Sequence, residues 1–267
     1  GGNNVGTYAD ALVPNVNATA AVLKNYTFST QTANFTINPQ VVYNLNTTDT
    51  VTGFPETQWF DLGSNATVAS ADGVKRPGYR LTGWEDATTG DPVTLGGTIP
   101  AIAGNHTLNA VWEIALYNVT YESGTGDIVI RMPANITGKT YTTPIAIEDS
   151  NPYHSGYSLL YWMTTDIDGT ETQLEPGATF NMPDNDVTMT AVWKANTSPI
   201  YYHPNGAPGG TVEEGRYPTD SIATIAGNMF SRPGYKFLGW SEASATAGVS
   251  RQPGETLNMP PRQLNFY

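Results

Sequence analysis

The chain has no cysteine, which removes a disulfide framework, a thiolate nucleophile and a Cys-ligated metal from consideration. Basic residues are scarce: 12 Lys and Arg stand against 24 Asp and Glu, for a formal net charge of −12 over 267 residues. Such a chain is repelled by phosphate backbones and anionic lipid, which argues against nucleic-acid and membrane-surface partners. Charge of either sign is low, at 13%, about half the usual share of a soluble domain. Polarity must come from Thr, Asn, Ser, Gly and Tyr, a surface suited to wall, sheath and adhesin proteins. No apolar run approaches the roughly 18 residues of a membrane span. The opening Gly1-Gly2-Asn3-Asn4-Val5-Gly6 has no basic patch leading into an apolar core. An export signal or anchor is therefore expected outside these residues.

What the chain has is internal repetition, the feature to seek before any other. Arg76-Pro77-Gly78-Tyr79-Arg80-Leu81-Thr82-Gly83-Trp84 recurs as His154-Ser155-Gly156-Tyr157-Ser158-Leu159-Leu160-Tyr161-Trp162 and as Arg232-Pro233-Gly234-Tyr235-Lys236-Phe237-Leu238-Gly239-Trp240. The glycines 78, 156 and 234 and the tryptophans 84, 162 and 240 are evenly spaced, 78 residues apart. A second marker, Leu108-Asn109-Ala110-Val111-Trp112, returns as Met189-Thr190-Ala191-Val192-Trp193.

Each copy reads as β-structure. Tyr79, Leu81 and Gly83 alternate with Arg80, Thr82 and Trp84 in the period of a strand, entered through a Pro-Gly or Ser-Gly turn. A polar stretch of varying length follows, as a surface loop would, and then a proline-containing turn such as Asn181-Met182-Pro183-Asp184. Tyr-rich strands open the copies at Val41-Val42-Tyr43-Asn44, Tyr117-Asn118-Val119-Thr120-Tyr121 and Ile200-Tyr201-Tyr202. No long amphipathic helix is predicted, and one short helical turn per module at most. A module of about 75 to 80 residues is just large enough for its own core. Tyr79, Trp84, Trp112, Tyr157, Trp162, Trp193, Tyr235 and Trp240 are expected to pack inside the repeats.

These residues resemble the Listeria–Bacteroides repeat, the family of the B-repeats of internalin-type surface proteins, with its Gly-Tyr-x-Phe-x-Gly-Trp signature and closing Ala-x-Trp strand. Gly78 to Trp84 and Gly234 to Trp240 follow the signature; the second copy carries Tyr161 in place of its glycine, so a different local backbone is expected there. The resemblance implies a mainly β fold: β-grasp-like α+β modules in an elongated tandem array, with no catalytic residues to carry over. Residues 1–40 are similar instead to the C-terminal half of an MBG-type module, through Gly6-Thr7-Tyr8, Asn25-Tyr26-Thr27-Phe28 and Phe35-Thr36-Ile37-Asn38-Pro39. The expected division is 1–40, then repeats at 41–113, 114–195 and 196–267, the third stopping before its last strand. Both ends look cut, and the natural protein is expected to extend at least beyond the C-terminal side. An alternative is strand exchange between subunits through the open edge, giving a fibre.

Nine Asn-x-Ser/Thr sequons occur, at Asn17, Asn25, Asn34, Asn46, Asn65, Asn105, Asn118, Asn135 and Asn196; in a host with N-glycosylation several would carry sugar. His106, His154 and His203 fall in different modules, and no His-Glu-x-x-His, Gly-x-Ser-x-Gly, Walker or Rossmann pattern is present. His154 stands where the other copies have Arg76 and Arg232, which reads as a tolerant surface position. Asp166-Ile167-Asp168-Gly169-Thr170-Glu171 has the alternating oxygens of a calcium loop without the rest of an EF-hand, and reads as an ordinary hairpin turn.

The sequence thus predicts a non-enzymatic structural or adhesive segment of a large cell-surface protein or extracellular filament. No catalytic residue, metal or cofactor is assigned. Partners are neighbouring modules or subunits of the same protein, with surface glycans or host proteins as further partners. The competing class is a module that binds glycans or host proteins through exposed aromatics. Burial separates the two: buried Trp84, Trp162 and Trp240 favour a scaffold, and a groove of exposed rings favours binding.

Overall fold

The structure is a computed structural model that describes residues 5–12, 32–149 and 151–267. The chain divides into two compact units, 1–116 and 117–267. All regular structure among the described residues is strand or turn. The mainly β class is therefore observed, while the α component implied by the resemblance has no counterpart there.

In the first repeat, Gln40–Asn44 lies beside and parallel to His106–Ile114, with Val41 opposite His106 and Tyr43 opposite Leu108. Parallel neighbours need a long crossover, and the chain between them supplies one. Along that crossover Tyr79–Asp86 pairs antiparallel with the other side of His106–Ile114. The short strands Gln58–Trp59 and Pro92–Val93 close the two edges of the sheet. Ala66–Thr67 and Thr98–Ile99 form a separate ribbon. The second repeat repeats this order with Ile136–Lys139, Tyr117–Glu122, Val187–Ala195, Tyr157–Thr165 and Glu171–Leu174 across its sheet. Its ribbon is Pro144–Ala146 with Thr179–Asn181.

The third repeat keeps Thr197–Tyr202 beside Val212–Pro218, and the ribbon of Ile222–Thr224 with Thr256–Asn258. Leu264–Phe266 pairs parallel with Thr197–Tyr202, Tyr202 opposite Phe266. The expectation that this repeat stops before its last strand is corrected: the strand is present, with three residues where the others have nine. Tyr235–Gly239, whose counterparts pair with the closing strand in the first two repeats, is not in a strand here.

Strict alternation along the signature strand fails at one point. Pairing slips between Leu81 and Gly83, and between Leu159 and Tyr161. This bulge lets Leu81 and Trp84, three residues apart, both face the core, at 6% and 1% exposure. It also removes the reason to expect a different backbone at Tyr161, because the slip is the same in both repeats. A Cβ at Gly83 would meet nothing nearer than the Val93 carbonyl at 3.5 Å, so a tyrosine fits at that place.

Each repeat gathers its own apolar cluster. Val41, Leu81, Trp84, Ile102 and Leu108 belong to the first; Val119, Ile145, Trp162, Met182 and Met189 to the second; Ile200, Tyr202, Trp240, Met259 and Phe266 to the third. The ribbon contributes to each cluster through Ala66, Ile145 and Ala223. At the N-terminus, Gly6–Leu12 and Ala33–Ile37 form an antiparallel pair. Asn25-Tyr26-Thr27-Phe28, part of the MBG-type resemblance, lies outside the described residues.

Candidate functional site

The signature tryptophans of the first and third repeats are held by the same device. Trp84 Nε1 donates to the Ala69 carbonyl at 2.9 Å, and the Ala69 N–H donates to Tyr43 Oη at 2.8 Å. Trp240 Nε1 donates to the Ala226 carbonyl at 2.9 Å, and the Ala226 N–H donates to Tyr202 Oη at 2.8 Å. One backbone residue thus clamps a tyrosine from the first strand and a tryptophan from the signature. The rings meet at 4.7 Å in the first repeat and 4.6 Å in the third. Burial raises the phenol pKa of Tyr43 and Tyr202, partly offset by the donated N–H. In the second repeat Tyr121 and Trp162 keep the ring contact at 4.9 Å, but Trp162 Nε1 finds no acceptor among the described residues.

Burial separates the three signature tryptophans from two of the tyrosines. Trp84, Trp162 and Trp240 are at most 2% exposed. Trp112 and Trp193 are half-buried, each Nε1 donating to a backbone carbonyl, of Leu45 at 2.8 Å and Ser123 at 2.7 Å. Tyr79 and Tyr235, expected in the core, are exposed, Tyr235 at 69%. They sit on the outer face just past the turn, where each carries an arginine: the Arg76 guanidinium lies 3.7 Å from the Tyr79 ring, and that of Arg232 lies 3.8 Å from Tyr235. Tyr157 is half-buried.

His154 corrects a second expectation: it is 6% exposed, not a surface residue. Its ring stacks on Tyr157 at 4.3 Å and meets Trp193 edge-on at 5.1 Å. Its Nε2 is 3.1 Å from Asp127. Arg76 has the corresponding set, with Tyr79, Trp112 at 5.1 Å and Asp49 at 2.6 Å. The position is a slot between two rings and a carboxylate, filled by arginine in one repeat and by histidine in the next.

His106 Nδ1 lies 2.5 Å from Asp86, which is 5% exposed and also accepts the N–H groups of Thr88 and Thr89. Desolvation pushes the Asp86 pKa upward, but the His106 and backbone hydrogen bonds outweigh it and leave the carboxyl below its ordinary value. The pair closes the turn after the signature strand. Asp166–Glu171 is a hairpin turn: the Gly169 N–H donates to the Asp166 carbonyl and the Thr170 N–H to Asp168 Oδ1. Among the described residues no group of three or more His, Asp or Glu is arranged to hold a metal ion.

Of the sequons, Asn17 and Asn25 lie outside the described residues. Asn34, Asn46, Asn65, Asn105, Asn135 and Asn196 are exposed, and Asn118 is half-buried. Asn65, Asn105, Asn118 and Asn135 each use the side-chain oxygen to accept a backbone N–H, from Ala101, Gln40, Gly138 and Tyr121. That arrangement occupies the oxygen and not the nitrogen to which a glycan attaches. Asn46 instead donates its side-chain nitrogen to the Ala110 carbonyl.

Beside the unpaired Tyr235–Gly239 segment runs a groove of about 390 Å³ lined by Phe230, Tyr235, Phe237, Trp240, Val249 and Tyr267. The Leu238 carbonyl there accepts the Gln252 side-chain amide, where the other repeats use a closing strand.

The sequence profile of the Listeria–Bacteroides repeat domain matches residues 117–192 and 199–265, more than half of the chain. Two proteins of Evansella cellulosilytica are similar. One, described as a membrane protein, is 28% identical over 162 residues, 60% of this chain and 23% of its own length. The other, described as a Gly-rich membrane protein, is 27% identical over 198 residues, 70% of this chain and 22% of its own length. The chain therefore spans less than a quarter of either relative. With its signature tryptophans buried in repeated β cores and its second and third repeats matched by the profile, this chain belongs to the Listeria–Bacteroides repeat family.

Proposed function

We propose that this chain is a structural segment of a cell-surface protein, whose repeats set distance and carry load outside the cell. The observation that carries the reading is the burial of Trp84, Trp162 and Trp240. A tryptophan clamped in a core cannot stack on a sugar, so the repeated feature serves folding and not ligand capture. The low charge, the exposed sequons and the family's occurrence in surface proteins support an extracellular setting. The membrane-protein descriptions of the two relatives point the same way.

Pulling the chain by its ends in a force microscope tests the reading. A load-bearing array gives separate unfolding events, each releasing roughly 25 nm for about 75 residues. A chain that extends without discrete peaks does not carry load and contradicts the proposal. Location is tested separately, by protease digestion of intact cells.

The groove of the third repeat is, in this reading, an acceptor for an Ala-Val-Trp strand, like the matching place in the other two repeats. Its wall is the segment that, in the other two repeats, receives an Ala-Val-Trp strand. An extended segment with that pattern would find backbone partners and an aromatic floor there. For glycan binding, the groove aromatics are the corresponding candidates, and a glycan array on the intact chain tests them directly.

A further inference from the structure

Between the closing strand Val187–Ala195 and the next strand Thr197–Tyr202 stands a single residue, Asn196. Its polar groups are tied on both sides. The N–H donates to the Gly156 carbonyl at 2.8 Å, and the side-chain oxygen accepts Ser158 Oγ at 2.7 Å, both in the second repeat. Its carbonyl accepts the Thr219 N–H at 2.9 Å and Thr219 Oγ1 at 3.2 Å, both in the third. Thr219 is 5% exposed. Next to it, Tyr157 Oη donates to Asp220 at 2.7 Å.

Gly156 shows how close the repeats approach. A Cβ there would lie 2.6 Å from Pro261 Cβ and 2.6 Å from Thr219 Cγ2, both in the third repeat. Its counterpart Gly234 has nearly the same backbone angle, φ +79° against +81°, and would meet nothing within 4 Å. Both glycines satisfy the turn, but Gly156 also admits a neighbour. The ring of Tyr157 is fixed from behind by stacking on His154, itself against Asp127.

We infer that the Gly-Tyr step of the signature is a docking surface for the following repeat, and that it locks repeats two and three into one rigid body. The partner is a repeat of the same kind, presenting a Thr-Asp turn and a proline. A one-residue linker whose N–H, carbonyl and side-chain oxygen are all hydrogen-bonded, a glycine contact that excludes any side chain and a Tyr–Asp bond leave the joint no soft torsion. This rests on the spacer reading for its use, since a rod sets distance where a string of beads does not. Its physical content stands apart from cellular location.

The test is pulsed electron–electron resonance on the full chain, labelled at Thr172→Cys and Thr256→Cys; the absence of native cysteine makes the labelling clean. Both positions are exposed strand residues, one in each repeat. A pair within the second repeat, Thr137→Cys with Thr172→Cys, gives the width of a rigid body. The expected result is an inter-repeat distribution no wider than that control, broadened at least twofold by Gly156→Val and unchanged by Gly234→Val. Thr219→Arg, which wedges the joint from the third repeat without altering the Gly156 backbone, must broaden it too. A wild-type distribution several-fold wider than the control overturns the joint, and so does a narrow one that survives both wedges. Either result leaves the force measurement, and the spacer reading it tests, untouched.

Discussion

Replacing Trp84 by alanine should destabilise the first repeat and leave the second unit standing. Trp84 is 1% exposed, touches Tyr43 at 4.7 Å and Phe54 at 5.7 Å, and donates to the Ala69 carbonyl. Truncating a buried aromatic residue costs roughly 3–5 kcal/mol, and an orphaned Ala69 carbonyl places the loss toward the upper end. A repeat of about 75 residues has a total stability of about 4–11 kcal/mol, so the substitution removes a large share of it. With a denaturant slope near ~1 kcal/mol per molar urea for so small a unit, the midpoint falls by roughly 4–5 M. Amide cross-peaks followed through a urea titration report each part separately: Val41, Leu108 and Ala110 for the first repeat, Val119, Met189 and Phe266 for the second unit. The first set should shift by that amount and the second by less than about 0.5 kcal/mol equivalent, as for residues of different core clusters. Equal shifts in both sets, or none in the first, would refute separate cores.

Three further outcomes follow from the same contacts. Asp86→Ala should destabilise the first repeat by about 1–3 kcal/mol, because the Thr88 and Thr89 N–H groups and His106 lose their acceptor; thermal unfolding reads it. The folded-state pKa of Asp86 is lowered, so its contribution is present above about pH 4 and is lost as pH falls from there through the folded value. Asp86→Asn should flatten that acid limb, and an unchanged limb would remove Asp86 as its cause. A peptide with the sequence of residues 187–195 should bind the third repeat, quench Trp240 fluorescence and shift cross-peaks of Phe237 and Leu238; binding confined to other residues would sink strand addition.

Much of the fold was legible because the signal is periodic. Evenly placed tryptophans mark equivalent core positions, and the Tyr-rich strands that open each copy are the first strands of the sheets. The bulge after Leu81 was not legible, since one extra residue leaves composition unchanged while turning Trp84 inward. Tyr79 and Tyr235 were misplaced for a related reason: an aromatic residue at the start of the signature segment looks the same whether it faces the core or carries an arginine outside. His154 was misjudged because arginine at the matching places suggests exposure. Yet Arg76 has only 11% of its side chain exposed, with its head between rings and a carboxylate, a slot that histidine also fills. The joint was least visible of all. Asn196, Thr219 and Asp220 fall outside the signature, and nothing in their local sequence says that another repeat packs against them.

Native-state hydrogen exchange of the unmodified chain, measured through increasing sub-denaturing urea, tests the account most directly. Amides buried in residues 40–114 and in residues 117–266 should converge on two isotherms with different midpoints, the first governed by the Trp84 core and the second by the cores of Trp162 and Trp240 coupled through the Asn196 joint. A single isotherm shared from Val41 to Phe266 would mean one continuous body and would contradict the claim that the recurring tryptophans anchor separate β cores.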